Sequence, residues 1–173
     1  CSRAPSREPP TVAGATLSRF AVAGLDHVHV YVRDRGAAAR WYGAVLGLRR
    51  DRRFASWSRE AGGPLTLTAA DGVTHVALFA DERRAGHGTT VALRTDGDGF
   101  AAFAKRAVRL PLFDKRRRPA QPRMQDHDQS LSLYFSDPDG NPIGLRGPNG
   151  FLDRIPIGAR IIHRIAQRRA AIG

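Results

Sequence analysis

Six histidines and a few aromatic residues are the side chains of this chain best suited to chemistry. His27 and His29 stand two apart in the run Leu25-Asp26-His27-Val28-His29-Val30-Tyr31-Val32. Strict alternation with β-branched residues makes a strand, so His27, His29 and Tyr31 share one face and the valines the other. His75 sits in a second apolar run at residues 73–79. Three neutral imidazoles can hold a divalent ion. Spacing argues against joint ligation, because alternate strand residues lie ~6.5–7 Å apart unless the strand bulges. The plainer expectation is a set of cavity-wall histidines hydrogen-bonded to neighbours or water. Other candidates suit a ligand rather than a reaction. Trp57, Phe79 and Tyr134 can stack on a planar molecule, and Tyr134 can also hydrogen-bond it. Arg94 shares a face with Thr90 and Ala92 and can pair with an acidic group if that face lines a cavity. His127 falls in a loop, where it is either a general base or simply solvated.

The elements around these residues are readable. Asp34 can cap a helix over residues 36–46, where Ala38, Trp41, Tyr42, Val45 and Leu46 have helical spacing and Gly47 ends it. Trp41 and Tyr42 are expected to pack beneath the sheet. A weaker strand follows around residues 54–57. A hairpin then joins residues 65–68 to 73–79 through Asp71-Gly72. The order recurs: a strand over 89–95, Asp96, a helix over 98–108 and a basic loop over about 115–127. A strand over 130–135, the turn Asp137-Pro138-Asp139-Gly140 and a short strand over 141–145 close the repeat. A unit of ~60 residues used twice implies two similar half-sheets packed together.

The composition sets the outer bounds. With 42% hydrophobic and 25% charged residues among 173, the chain suits one core, and no apolar run is long enough to span a membrane. Lys+Arg 28 against Asp+Glu 16 gives a net charge of +12, nearly all from arginine. That balance favours anionic ligands or surfaces. Nucleic acid and membrane are nevertheless disfavoured as partners, because no aromatic-basic platform accompanies the charge. The single cysteine, Cys1, excludes an internal disulfide and a cysteine-based cluster. Residues 1–22 read as a flexible lead-in. Residues 148–173 read as a basic amphipathic tail whose helix carries Ile157, Ile161, Ile162 and Ile165 on one face. The expected location is cytoplasmic, with a lipoprotein beginning at Cys1 as the lesser alternative.

The phrases LDHVHVYVRDRGAAARWYGAVLGL and SLYFSDPDGNPIGL together resemble the vicinal oxygen chelate superfamily, which includes glyoxalases, bleomycin-resistance proteins and extradiol dioxygenases. The resemblance implies an α+β fold over residues 23–147: two βαβββ modules, 24–80 and 88–146, forming curled half-barrel sheets around a cavity. It points His27, His29, Tyr31, His75, Ala77 and Phe79 into that cavity. In metal-dependent members one divalent ion has ligands from four positions, which fall here on His27, Ala77, Thr89 or Thr90, and Gly144. Only His27 keeps a donor, so the family metal site is expected to be degraded.

Two functions follow. The first is a binder of a small apolar or aromatic, anionic-compatible molecule, with no cofactor and with His29, Tyr31, Trp57, Phe79, Arg94 and Tyr134 around the cavity. The second is a metal-dependent glyoxalase-like lyase or isomerase, or an extradiol-type dioxygenase, using Fe, Mn, Zn or Ni on His27 with His29 or His75. An adaptor acting through the arginine-rich loop and tail is a distant third. A homodimer is expected in either of the first two cases.

Overall fold

The computed structural model describes residue 22 and residues 24–149, so the lead-in (but for Val22) and the expected tail helix lie outside the described residues. The chain runs β1 (His27–Val32), α1 (Arg35–Leu46), β2 (Arg49–Arg50), two 3-10 turns (Arg52–Phe54 and Trp57–Arg59), β3 (Leu65–Thr68) and β4 (His75–Ala80). It continues with β5 (Val91–Arg94), α2 (Gly97–Ala107), β6 (Arg123–Asp126), β7 (Ser130–Ser136) and β8 (Pro142–Pro148). Two four-stranded sheets result, ordered β1-β4-β3-β2 and β5-β8-β7-β6. In each, the first and last strands of the module pair in parallel and the rest antiparallel. The same order twice is the expected α+β duplication, and neither sheet closes into a barrel.

Local chemistry explains the matching halves. Asp34 takes an extended backbone and its carboxylate accepts from the amides of Gly36 and Ala37 at the start of α1. Gly47 ends that helix at φ 72, a conformation that suits a residue without Cβ. Asp96 repeats the cap by accepting from the Gly99 amide at the start of α2. Val30, Val32, Val76 and Leu78 are buried against Trp41, Tyr42 and Val45, as the alternation requires. That core continues into the second module through Phe100, Phe103, Phe135 and Ile143.

Two sequence expectations need correction. The strand expected around residues 54–57 is a pair of 3-10 turns, and the second strand is only Arg49–Arg50. Asp51 causes the change: its carboxylate accepts from the Arg53 amide at 2.9 Å, turning the chain away from a ladder. The basic loop also contains β6, which pairs with β7. Only Met124 of that strand is buried, so its sequence shows no apolar alternation.

The modules meet through α1 and the 137–141 turn. Tyr42 donates to Asp137 at 3.1 Å, and the Asn141 amide donates to the Tyr31 carbonyl at 2.9 Å. The Trp41 indole donates to the Pro111 carbonyl at 2.7 Å. Arg33 pairs with Asp139. The turn read from sequence as purely local therefore also latches one module to the other.

Candidate functional site

The strand register builds the site. On the face of the first sheet away from the core, His27, His75 and Thr68 form one row, and His29, Ala77 and Thr66 the next. Tyr31 and Phe79 begin a third. Ala77 contributes only a methyl at the centre, so the face dips there. Phe54 and Trp57, carried by the 3-10 turns, stand over the dip with ring centroids 4.6 Å apart. The result is an open hollow of about 250 Å³, walled by His27, His29, Thr66, His75 and Phe79. That volume is just under the range usual for enclosed ligand sites. Trp57 keeps 45% of its surface exposed at the rim.

The three histidines have different partners. His75 is buried, with Nδ1 3.2 Å from the Asp26 carbonyl and Nε2 3.2 Å from the Arg53 guanidinium. His75 Nε2 also lies 3.4 Å from Asp51 Oδ2, so both of its ring nitrogens are engaged by neighbours. Asp51 supports this arrangement through Arg53, and the Arg53 hydrogen bonds hold its carboxyl at about 2, well below the usual range. His27 Nδ1 lies 2.6 Å from Asp26 Oδ2, and His27 Nε2 lies 3.0 Å from His29 Nε2. The two rings are hydrogen-bonded neighbours, as expected for cavity-wall histidines, and their tips stand closer than the strand spacing alone implies. Their Cα positions are fixed by the strand, but the ring tips lean together. The His29 ring also packs on Phe79 at 4.7 Å.

Other expected site residues lie elsewhere. Tyr31 stands beyond Phe79, its ring 5.8 Å from Phe79 and covered by the Arg84 guanidinium at 3.5 Å. Arg94 is exposed on β5. Tyr134 is on β7, where its hydroxyl meets His127 Nε2 at 3.0 Å. All three of these second-module residues are outside the hollow, which first-module residues alone line. Arg94 and Tyr134, expected around a cavity, are therefore not among the residues that line this hollow. Phe54, Asp26 and Thr66 were not singled out from sequence. Thr66 could have been, since it alternates with Leu67 on the hairpin strand. Its Oγ1 is buried without a hydrogen-bond partner among the described residues.

A second, shallower groove of about 560 Å³ lies at the start of α1 beside Arg33, Arg35 and Arg50. Arg33 is taken by Asp139, and Arg35 donates to the carbonyls of Gly63 and Ser58. Most of its charge is thus committed to holding loops.

Comparison with known proteins gives this geometry a family. The family model for the glyoxalase/bleomycin resistance protein/dioxygenase superfamily matches residues 24–145. The chain belongs to that superfamily. No curated protein sequence matches it. Among solved structures, a glyoxalase/dioxygenase from Nostoc punctiforme is similar at TM-score 0.57 and 18% identity, covering 80% of this chain and 100% of that one. TnmS3, an antibiotic binding protein from Streptomyces sp. CB03234, is similar at TM-score 0.57 and 22% identity, covering 75% and 99%. The fosfomycin resistance protein FosX from Mesorhizobium loti is similar at TM-score 0.52 and 24% identity, covering 77% and 97%. These likenesses show the superfamily fold.

The superfamily's metal does not fit this chain's four corresponding positions. Ala77 is the bare floor of the hollow. Thr90 and Gly144 lie in the other module. A Cβ at Gly144 would come within 3.1 Å of Tyr134 Cε1, so the ring would have to give by a few tenths of an ångström to admit a side chain. Among the described residues no group of three or more His, Cys, Asp or Glu side chains is arranged to hold a metal ion.

Proposed function

We propose that this protein binds a small planar aromatic molecule in the hollow over Ala77, independently of the superfamily metal. The observation that carries the reading is a hollow lined by the small Ala77 together with the rings of Phe54, Trp57 and Phe79. Such a slot rewards a flat apolar body and rejects bulk. The net charge of +12 favours an anionic substituent. One fold neighbour is named an antibiotic binding protein, so binding has a precedent in this fold. A thermal-shift screen of aromatic acids and phenols in chelator tests it. A selective compound should raise the midpoint, and Trp57→Ala should weaken its binding by about tenfold or more. The absence of any shift across both classes would refute the reading.

The metal-dependent lyase, isomerase or dioxygenase remains as a second reading, and one observation favours it. Two imidazole nitrogens 3.0 Å apart, one ring backed by a carboxylate, form two corners of a ligand set. Purification with Fe, Mn, Zn or Ni followed by metal analysis decides. Stoichiometric metal lost in both His27→Ala and His29→Ala would establish this reading and displace the first.

We also propose that two copies associate, with the second covering the open rim at Trp57. Sedimentation should give twice the chain mass, and ligand should strengthen the association. A monomer at all concentrations, with ligand bound, would remove this part alone.

A further inference from the structure

We propose that the outward face of the second sheet binds the phosphate group of a small phosphate monoester through Arg94, Arg146 and Arg123. The site is independent of the hollow, which first-module residues alone line. Alternation decides which side chains share this face. Met124, Leu133, Phe135, Ile143 and Leu145 belong to the core, so the residues that alternate with them lie on the opposite side. The register sets Arg94 beside Arg146, with Ser132 and Gln125 completing that row. The neighbouring row is Ala92, Gly144, Tyr134 and Arg123. These two rows carry three arginines and no carboxylate, and all three arginines are exposed.

The charge arrangement points to an anion. Arg94 and Arg146 are register partners on adjacent strands, which puts their backbones about 5 Å apart. Like charges placed side by side on a sheet repel, and an anion between them removes that cost. Arg33, Arg53 and Arg118 each hold a carboxylate. Arg94, Arg146 and Arg123 have no ion pair or side-chain hydrogen bond among the described residues. Arg123 contacts the Tyr134 ring, its guanidinium 5.8 Å from the centroid. The Tyr134 hydroxyl is in turn held by His127 Nε2 at 3.0 Å. Gly144 and Ser132 are small and buried between the arginine-bearing positions, so the face is low at its centre. A phosphate monoester brings about two negative charges and three acceptor oxygens, enough to engage more than one guanidinium fork. Charge argues against other occupants. A second copy would bring the same arginines, and residues 150–173 of this chain carry five arginines against one aspartate. A single-stranded nucleic acid is read by several stacked rings, whereas Tyr134 is the one ring in these two rows.

Calorimetric titration of the full chain with glycerol 3-phosphate tests the site. Glycerol is the uncharged control, and a short DNA duplex is the competitor. Glycerol 3-phosphate should bind and glycerol should not. The double substitution Arg94→Gln with Arg146→Gln should weaken that binding about tenfold or more. Arg83→Gln with Arg109→Gln removes the same charge elsewhere and should leave affinity within about twofold. Trp57→Ala should also leave it unchanged, so a failure of the hollow as a ligand site would not touch this one. Should the first double variant fail to fold, Arg123→Gln carries the test, with an expected loss of about threefold. Equal losses in the two double variants would reduce the effect to net charge and overturn the proposal. The absence of glycerol 3-phosphate binding to the native chain would also overturn it. So would a duplex that displaces the monoester and itself depends on Arg94 and Arg146, since the face would then serve a nucleic acid.

Discussion

Thr66 and Asp51 show how single side chains set the character of this site. Thr66 sits one strand from Ala77 with a buried hydroxyl that nothing satisfies among the described residues. An unmet buried polar group costs about 1–3 kcal/mol, so Thr66→Val should stabilise the protein by about 1 kcal/mol, seen as a higher urea midpoint at unchanged slope. Asp51 is held at about 2 against an ordinary 3.8 by hydrogen bonds from Arg53, and Asp71 is held at about 2 by Thr74. A depressed carboxylate contributes stability that is complete above its unfolded value and disappears as pH falls through the folded one. Asp51→Asn should therefore lower the melting temperature at pH 6, and the gap should close between about pH 4 and pH 2. A gap that stays constant across that window would contradict the assignment. The side on which His27, His29 and His75 point was legible in the sequence, because period two decides it. The approach of His27 to His29 was not legible, because a strand pattern says nothing of rotamers. Nor was the occupation of both His75 nitrogens, which depends on Arg53 folding back from a turn.

At the scale of elements, the capping aspartates and the alanine-rich helices were readable, since each needs only neighbours in sequence. The 3-10 turns that carry Phe54 and Trp57 over the hollow were not. Their aromatic content looks like a strand until the Asp51 side chain competes for the backbone. Strands β7 and β8 show what crowds the last of the superfamily's ligand positions. Gly144 pairs across to Tyr134, whose ring lies over it. Restoring the acid by Gly144→Glu should confer no metal binding, since Ala77 and Thr90 still supply neither carboxylate nor imidazole. It should also cost about 1–3 kcal/mol, because the Tyr134 ring must give way to the new side chain. Metal analysis and a thermal melt of this variant check both halves of the claim. A stoichiometric ion in that variant would reopen the metal-dependent reading.

At the scale of the whole molecule, duplication was legible and the packing of the two halves was not. Strand order within each half leaves open how the halves face each other, and here the hollow belongs to one half alone. What joins them is the turn after β7. Asp137 is fully buried and accepts from Tyr42, the Asn141 side chain and two local amides. Burial pushes its carboxyl up, and the hydrogen bonds from the Asn141 side chain, the Asn141 amide and Tyr42 work against that rise. Asp137→Ala would strand those donors and should cost about 2–4 kcal/mol, read from chemical denaturation. Tyr42→Phe should cost about 1 kcal/mol. The same latch orders events in time. Tyr42 waits for a partner 95 positions later, and the Tyr31 carbonyl for one 110 positions later. At common translation rates that is an interval on the order of ten seconds, during which a nascent first half carries its aromatic slot but lacks its clasp. A ribosome stalled between the halves should thus display a protease-sensitive first half, and release of the remaining chain should make it resistant.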